Sequence, residues 1–235
     1  MLALIDHRAP KSIFLSLEAS GICPLPLPSH PTLPKPVAAH PDMNLFFAQE
    51  HIFCTELYAD LAQKELLEIE RASGRKLVLI EEALESRYPC DIPLNVAQVG
   101  AHIFCHPTHT AKAILKEGYR VIRVRQGYAK CSTVPVGEHA LITSDPSIAS
   151  AATKAGLDVL KVSPAHVDLP GYDTGFLGGA ASYSPYRQAS ETLFCGDLSK
   201  HPNAAEIEDF CNRRSIRTVS LTADPLTDLG TVFLI

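Results

Sequence analysis

The chain repeats a short phrase. His51-Ile52-Phe53-Cys54, His102-Ile103-Phe104-Cys105, His139-Ala140-Leu141-Ile142 and Thr192-Leu193-Phe194-Cys195 each read as a brief apolar strand. Each is expected to precede a polar turn, a helical stretch and a further strand. Recurrence of this kind constrains the fold more than composition does, because a unit too small to bury its own apolar face must stack on its neighbours.

Each phrase is preceded by a module-opening segment. These segments are 40–45, 88–94, 127–134, 171–177 and 226–232; aligned with one another, four of them carry an aspartate (Asp42, Asp91, Asp173, Asp228) and the third carries Cys131. Helices are expected from Leu57 to a stop at Gly74, from Asp145-Pro146 (N-cap and proline at N1) to Gly156, and after His201-Pro202-Asn203. Closing strands follow at 77–80, 121–124, 159–162 and 219–221. The fifth module is split: Val232-Phe233-Leu234-Ile235 supplies one strand, while Leu2-Ala3-Leu4-Ile5, a helix over about 9–18 and a strand near Ile22 supply the rest. The fold class is therefore α/β, with five ββαβ-type modules around a pseudo-fivefold axis, residues 1–235 forming one domain and the ring closed by pairing its end with its start. The prolines at 24, 26, 28, 31, 34 and 36 are expected to run extended over the rim.

Composition excludes several function classes. A formal net charge of -5 and a pI near 6.0, with no basic face, argue against nucleic acid as a partner. No apolar run approaches the roughly 20 residues that span a bilayer, so a membrane role is not expected. The 7 cysteines form no C-x-x-C pair and sit mostly in strand-like runs, which suits reduced, buried thiols and a cytoplasmic location. Cys105, His106 and His109 lack a second spaced ligand pair, so neither a metal nor a cofactor is expected. Oligomeric state is left open.

Five such modules around an axis resemble the pentein fold, the fold of guanidine-modifying enzymes. The resemblance covers essentially the whole chain and is carried by His40-Pro41-Asp42, by Gln126-Gly127-Tyr128-Ala129-Lys130-Cys131-Ser132, by Gly175-Phe176-Leu177-Gly178-Gly179-Ala180 and by Gly196-Asp197-Leu198-Ser199-Lys200-His201-Pro202. Within that superfamily the chain looks like a family described by its fold alone. The segment Gly127 to Pro135 is similar to the nucleophile segment of arginine deiminases, and His40-Pro41-Asp42 followed by Phe46 resembles their His-x-Asp segment. Two departures stand out. Ala181-Ser182-Tyr183 occupies a place where a glycine is usual, and no terminal cysteine follows Gly178-Gly179.

The resemblance implies Cys131 as nucleophile and His40 as acid/base. It also implies that Asp42, Asp173, Asp91 and Asp228 hold a small guanidino ligand, with Lys130, Asn95, Gly178 and Gly179 around it. Physical chemistry restricts how this could work. Clustered carboxylates raise one another's pKa and that of a nearby thiol, and a guanidinium would relieve both effects. Structural roles compete with these. The aspartates could cap turns, Cys131 could be a small buried hydrophobe, Gly178-Gly179 could serve close backbone approach, and Asp197 and His201 could cap a helix start. A non-catalytic binding or scaffold ring is the alternative function, since the fold also includes a ribosome-associated factor.

Overall fold

The computed structural model describes residues 1–184 and 190–235. In chain order, β1 (Leu2–Asp6), α1 (Lys11–Ala19) and β2 (Cys23–Leu27) are followed by α2 (Pro41–Asn44), β3 (Phe46–Phe47), β4 (His51–Thr55), α3 (Glu56–Leu61), α4 (Gln63–Ser73) and β5 (Lys76–Ile80). Next come β6 (Ala97–Val99), β7 (His102–Cys105), β8 (Arg120–Arg123), β9 (Thr133–Pro135), β10 (Ala140–Thr143), α5 (Pro146–Lys154) and β11 (Asp158–Lys161). The chain ends with β12 (Ala181–Ser184), β13 (Glu191–Phe194), α6 (Ala204–Asn212), β14 (Arg217–Ser220) and β15 (Phe233–Leu234).

The strands form five three-stranded sheets with one plan. A short first strand pairs antiparallel with the repeated phrase, which pairs parallel with the closing strand. The fifth sheet is made from both termini. β15 runs antiparallel to β1, and β1 runs parallel to β2. Backbone bonds Leu2 N–H to Ile235 O (2.8 Å) and Ile235 N–H to Leu2 O (3.0 Å) fasten the seam.

The repeated phrases are apolar throughout because each middle strand is covered on both faces. Alternate side chains point opposite ways. Phe53 of β4 therefore packs with Ile103 of the next module, while Ile52 and Cys54 pack with Leu4 and Leu27 of the previous one. Phe104 meets Leu141, Ile142 meets Phe194, and Leu193 meets Ala3 and Ile5. Five apolar clusters, each bridging two neighbouring modules, thus close the ring. Each buried Leu, Ile or Phe among them contributes about 1.5–3 kcal/mol.

Three local expectations differ. The helix from Leu57 breaks at Ala62 (φ -108°, ψ 30°), giving α3 and α4. The module after β7 has no α-helix among the described residues, only a 3-10 turn at Ile114–Lys116. Ala111 N–H bonds there to Pro93 O of the preceding module opening, outside any helical ladder. Pro24 and Pro26 lie inside β2, where an outer edge tolerates residues without an N–H. The remainder of the proline-rich stretch buries Leu33, Val37 and Ala38 against Met43 and Phe46.

The first strands stand nearest the axis, with β9 touching β6 and β12, and β12 touching β15. At their hairpin end lies a cavity of about 710 Å³ that reaches inward to Lys130 and Thr231. The module-opening turns occupy the opposite end. No described helix is long and apolar enough to cross a membrane.

Candidate active site

Four module openings converge on Cys131. Its thiol is buried and donates to Asp42 Oδ2 at 3.1 Å, while Asn95 Nδ2 donates to the sulfur at 3.1 Å. Asn95 is held from its other side by Lys130 N–H donating to its Oδ1 at 2.8 Å. Asp42 sits in the first turn of α2, a short helix opened by His40 and Pro41, and its own N–H donates to Gly230 O. Lys130 Nζ donates to Thr231 Oγ1 at 2.8 Å and lies 3.4 Å from Gly178 O. Thr231 Oγ1 lies 3.2 Å from Asp42 Oδ2.

Burial dominates the electrostatics. It raises the carboxyl of Asp42 above the ordinary range, against the opposing pull of Lys130. It lowers the ammonium of Lys130, against Asp42 and Cys131. The Cys131 thiol is pushed well up, first by burial and then by the charges of Asp42 and Asp228, so it rests protonated. Asp42 Oδ1 and His40 Nδ1 are buried with no hydrogen-bond partner among the described residues. A buried acceptor without a donor is costly, and it marks unused capacity for a ligand's N–H.

His40 is buried beside two carboxylates. Its Nδ1 lies 3.8 Å from Asp228 Oδ1 and its Nε2 3.9 Å from Asp6 Oδ2, while Arg8 is bonded to Asp6. Burial nevertheless holds its pKa down, so the ring is neutral at pH 7. Asp228 is pushed up by burial and already serves its own turn, accepting Phe176 N–H on Oδ2 and Gly230 N–H on Oδ1, each at 2.9 Å. The glycine pair allows close approach. A Cβ at Gly178 would stand 2.5 Å from Cys131 O, and one at Gly179 would stand 1.9 Å from Asp228 Oδ1.

Asp91 and Asp173 lie apart from this cluster. Asp91 is buried and accepts from Tyr128 Oη at 2.6 Å, and Asp173 is exposed on its loop. The reason is turn length. Asp42, Asp91, Asp173 and Asp228 stand four, six, eight and five residues before their inner strands, whereas Cys131 stands two before β9. The residues in register with Cys131 are Asn44, Asn95, Gly179 and Thr231, so the four aspartates stand at different heights along the axis. Thr231 was missed altogether. Its one available signal was its place two residues before the final apolar run. Asp197 and His201 belong elsewhere: Asp197 caps its turn by accepting Ser199 N–H, and His201 Nδ1 accepts Asn203 N–H.

Five ββαβ-type modules closed into a ring, with the opening turns meeting at one end of the axis, define a pentein-fold protein. Solved structures agree across nearly the whole chain. A cysteine-to-serine mutant of DDAH from Pseudomonas aeruginosa complexed with citrulline superposes with a TM-score of 0.55 at 10% identity, covering 94% of this chain and 92% of that one. SxtG, an amidinotransferase from Microseira wollei in the saxitoxin biosynthetic pathway, gives 0.52 at 11% identity over 93% and 87%. The inosamine-phosphate amidinotransferase StrB1 from Streptomyces griseus gives 0.54 at 12% over 91% and 73%. The chain belongs to DUF6873, a family of unknown function, which it matches over residues 4–233. No curated protein matches the sequence.

Proposed function

We propose that this protein hydrolyses or transfers the amidino group of a small guanidino compound, with Cys131 as nucleophile. The supporting observation is the Cys131–Asp42 contact at 3.1 Å beside an unpartnered Asp42 Oδ1. A planar cation donating to that oxygen would supply the missing bond. It would also lower the thiol's pKa by offsetting the charges of Asp42 and Asp228, so the substrate itself activates the nucleophile. Pentein-fold neighbours that are amidinotransferases, or that are complexed with citrulline, fit this reading.

In the forward step the thiol proton passes to Asp42 Oδ2, which it already faces at 3.1 Å, and from there to His40, whose neutral ring can accept it. The thiolate attacks the amidino carbon and forms a C–S bond. The C–N bond to the leaving amine breaks, and His40 returns its proton to that amine. Water or an acceptor amine then cleaves the C–S bond. Asn95, donating to the sulfur, steadies the thiolate.

The test is labelling with 2-chloroacetamidine, read by peptide mass mapping. Cys131 is expected to react, to be protected by arginine-like ligands, and to outpace its own reaction with neutral chloroacetamide. Exposed Cys23 serves as the internal reference. Modification of Cys23 while Cys131 stays intact in the folded protein rules out the catalytic reading and leaves the binding ring.

A further inference from the structure

The cavity at the hairpin end of the axis opens away from the buried cluster, sharing with it only Lys130 and Thr231 at the inner end, and its walls carry a defined chemistry. Aromatic rings line it: Phe47, Tyr119, Tyr183 and Phe233. Phe47 and Phe233 pack with ring centroids 5.1 Å apart. Arg75 stands among them. Its Nε–H donates to Ala48 O at 2.8 Å and its guanidinium carbon lies 5.8 Å from the centre of the Phe47 ring, so the planar group is fixed in orientation. Its two terminal nitrogens have no hydrogen-bond or ion-pair partner among the described residues. The nearby Glu117 is taken by His51, with Nδ1–Oε2 at 3.0 Å. At the inner end Lys130 is committed to Thr231 and Gly178.

An anchored guanidinium with its fork free is a receptor for a planar oxyanion. Glu117 and Glu138 also line the cavity. A doubly charged phosphate would meet two carboxylates with one available cation, whereas a monoanion balances Arg75 alone. The aromatic walls suit an apolar body, and about 710 Å³ lies within the usual range for small-molecule sites.

We propose that this cavity binds a small organic monocarboxylate, its carboxylate paired with Arg75 and its apolar body between Phe47, Phe233 and Tyr183. The proposal holds independently of any chemistry at Cys131.

The experiment is isothermal titration of the full chain with 3-phenylpropionate. Saturable binding is expected, and the neutral analogue 3-phenylpropionamide is expected to bind at least about tenfold more weakly, as is the carboxylate to Arg75→Gln. Should Arg75→Gln fail to fold, Ala101→Phe decides the matter, because it plugs the cavity from an exposed position and is expected to abolish binding. No saturable heat, equal affinity for the amide, undiminished binding to the folded variants, or tighter binding of phenyl phosphate each overturns the proposal.

Discussion

The two ends of the axis are built on opposite terms. At the turn end Asp42, Asp228, Lys130 and Cys131 are buried within one another's electrostatic reach, His40 is joined to them through Asp228, and hydrogen-bonding capacity is left unmet inside. At the hairpin end the charged groups stand around a cavity, and Arg75 keeps its free nitrogens at the surface of that space. The strands between the ends are short and uniform, so the contrast comes from the loops. A ring of near-identical modules can hold a buried, charge-dense centre on one side while the other side keeps its charges around an open cavity.

The largest effect that would sharpen this contrast is expected from Asp42→Asn. It strips a buried ammonium of its counter-charge and should cost about 3–5 kcal/mol in chemical denaturation. A loss below about 1 kcal/mol would break the picture of a tightly coupled end. Gly179→Ala is expected to cost roughly 1–3 kcal/mol, because its Cβ would collide with the Asp228 carboxyl, which Phe176 and Gly230 N–H hold in place. The pH response should be smaller. Burial holds His30, His40 and His201 below the ordinary imidazole range. Below pH about 6.5 the unfolded chain takes up protons that the folded one refuses, so stability falls as acid is added. The buried carboxyls Asp42, Asp91 and Asp228 act in the opposite sense between pH about 4 and their own raised values, where the unfolded chain has released protons that the folded one still holds. His40→Gln should therefore flatten the loss of urea midpoint between pH 7.5 and 5.5, and an unchanged slope would take His40 out of the account. The smallest effect is expected from Arg75→Gln, which loses one hydrogen bond to Ala48 O and should cost about 0.5–1.5 kcal/mol.

Much of the architecture was legible because its signal is physical and local. A middle strand buried on both faces has to be apolar along its length, and four of the five phrases show it. The split module could be read from the same pattern at the two termini. The site was legible in part. Cys131, Asp42, Asn95, Lys130 and Gly178-Gly179 do meet, while Asp91 and Asp173 do not join them. Turn length was the hidden variable: residues that match in a written alignment reach different heights along the axis when their loops differ by two to four residues. Arg75 went unnoticed for a related reason. It follows a helix-terminating glycine, a place where a basic residue ordinarily faces water.

Thr231 carries a consequence of its own. It holds φ at +65°, an uncommon posture for a β-branched residue, and its hydroxyl has a single hydrogen with Asp42 Oδ2 at 3.2 Å and Gly178 O at 2.9 Å competing for it. When that hydrogen turns to the carbonyl, the carboxylate loses one neutral donor and leans more on the thiol. When it turns back, the thiol's grip on its own proton slackens. One hydroxyl in the last opening turn thus stands between a carboxyl and a carbonyl, a hundred residues along the chain from the sulfur that shares that carboxyl.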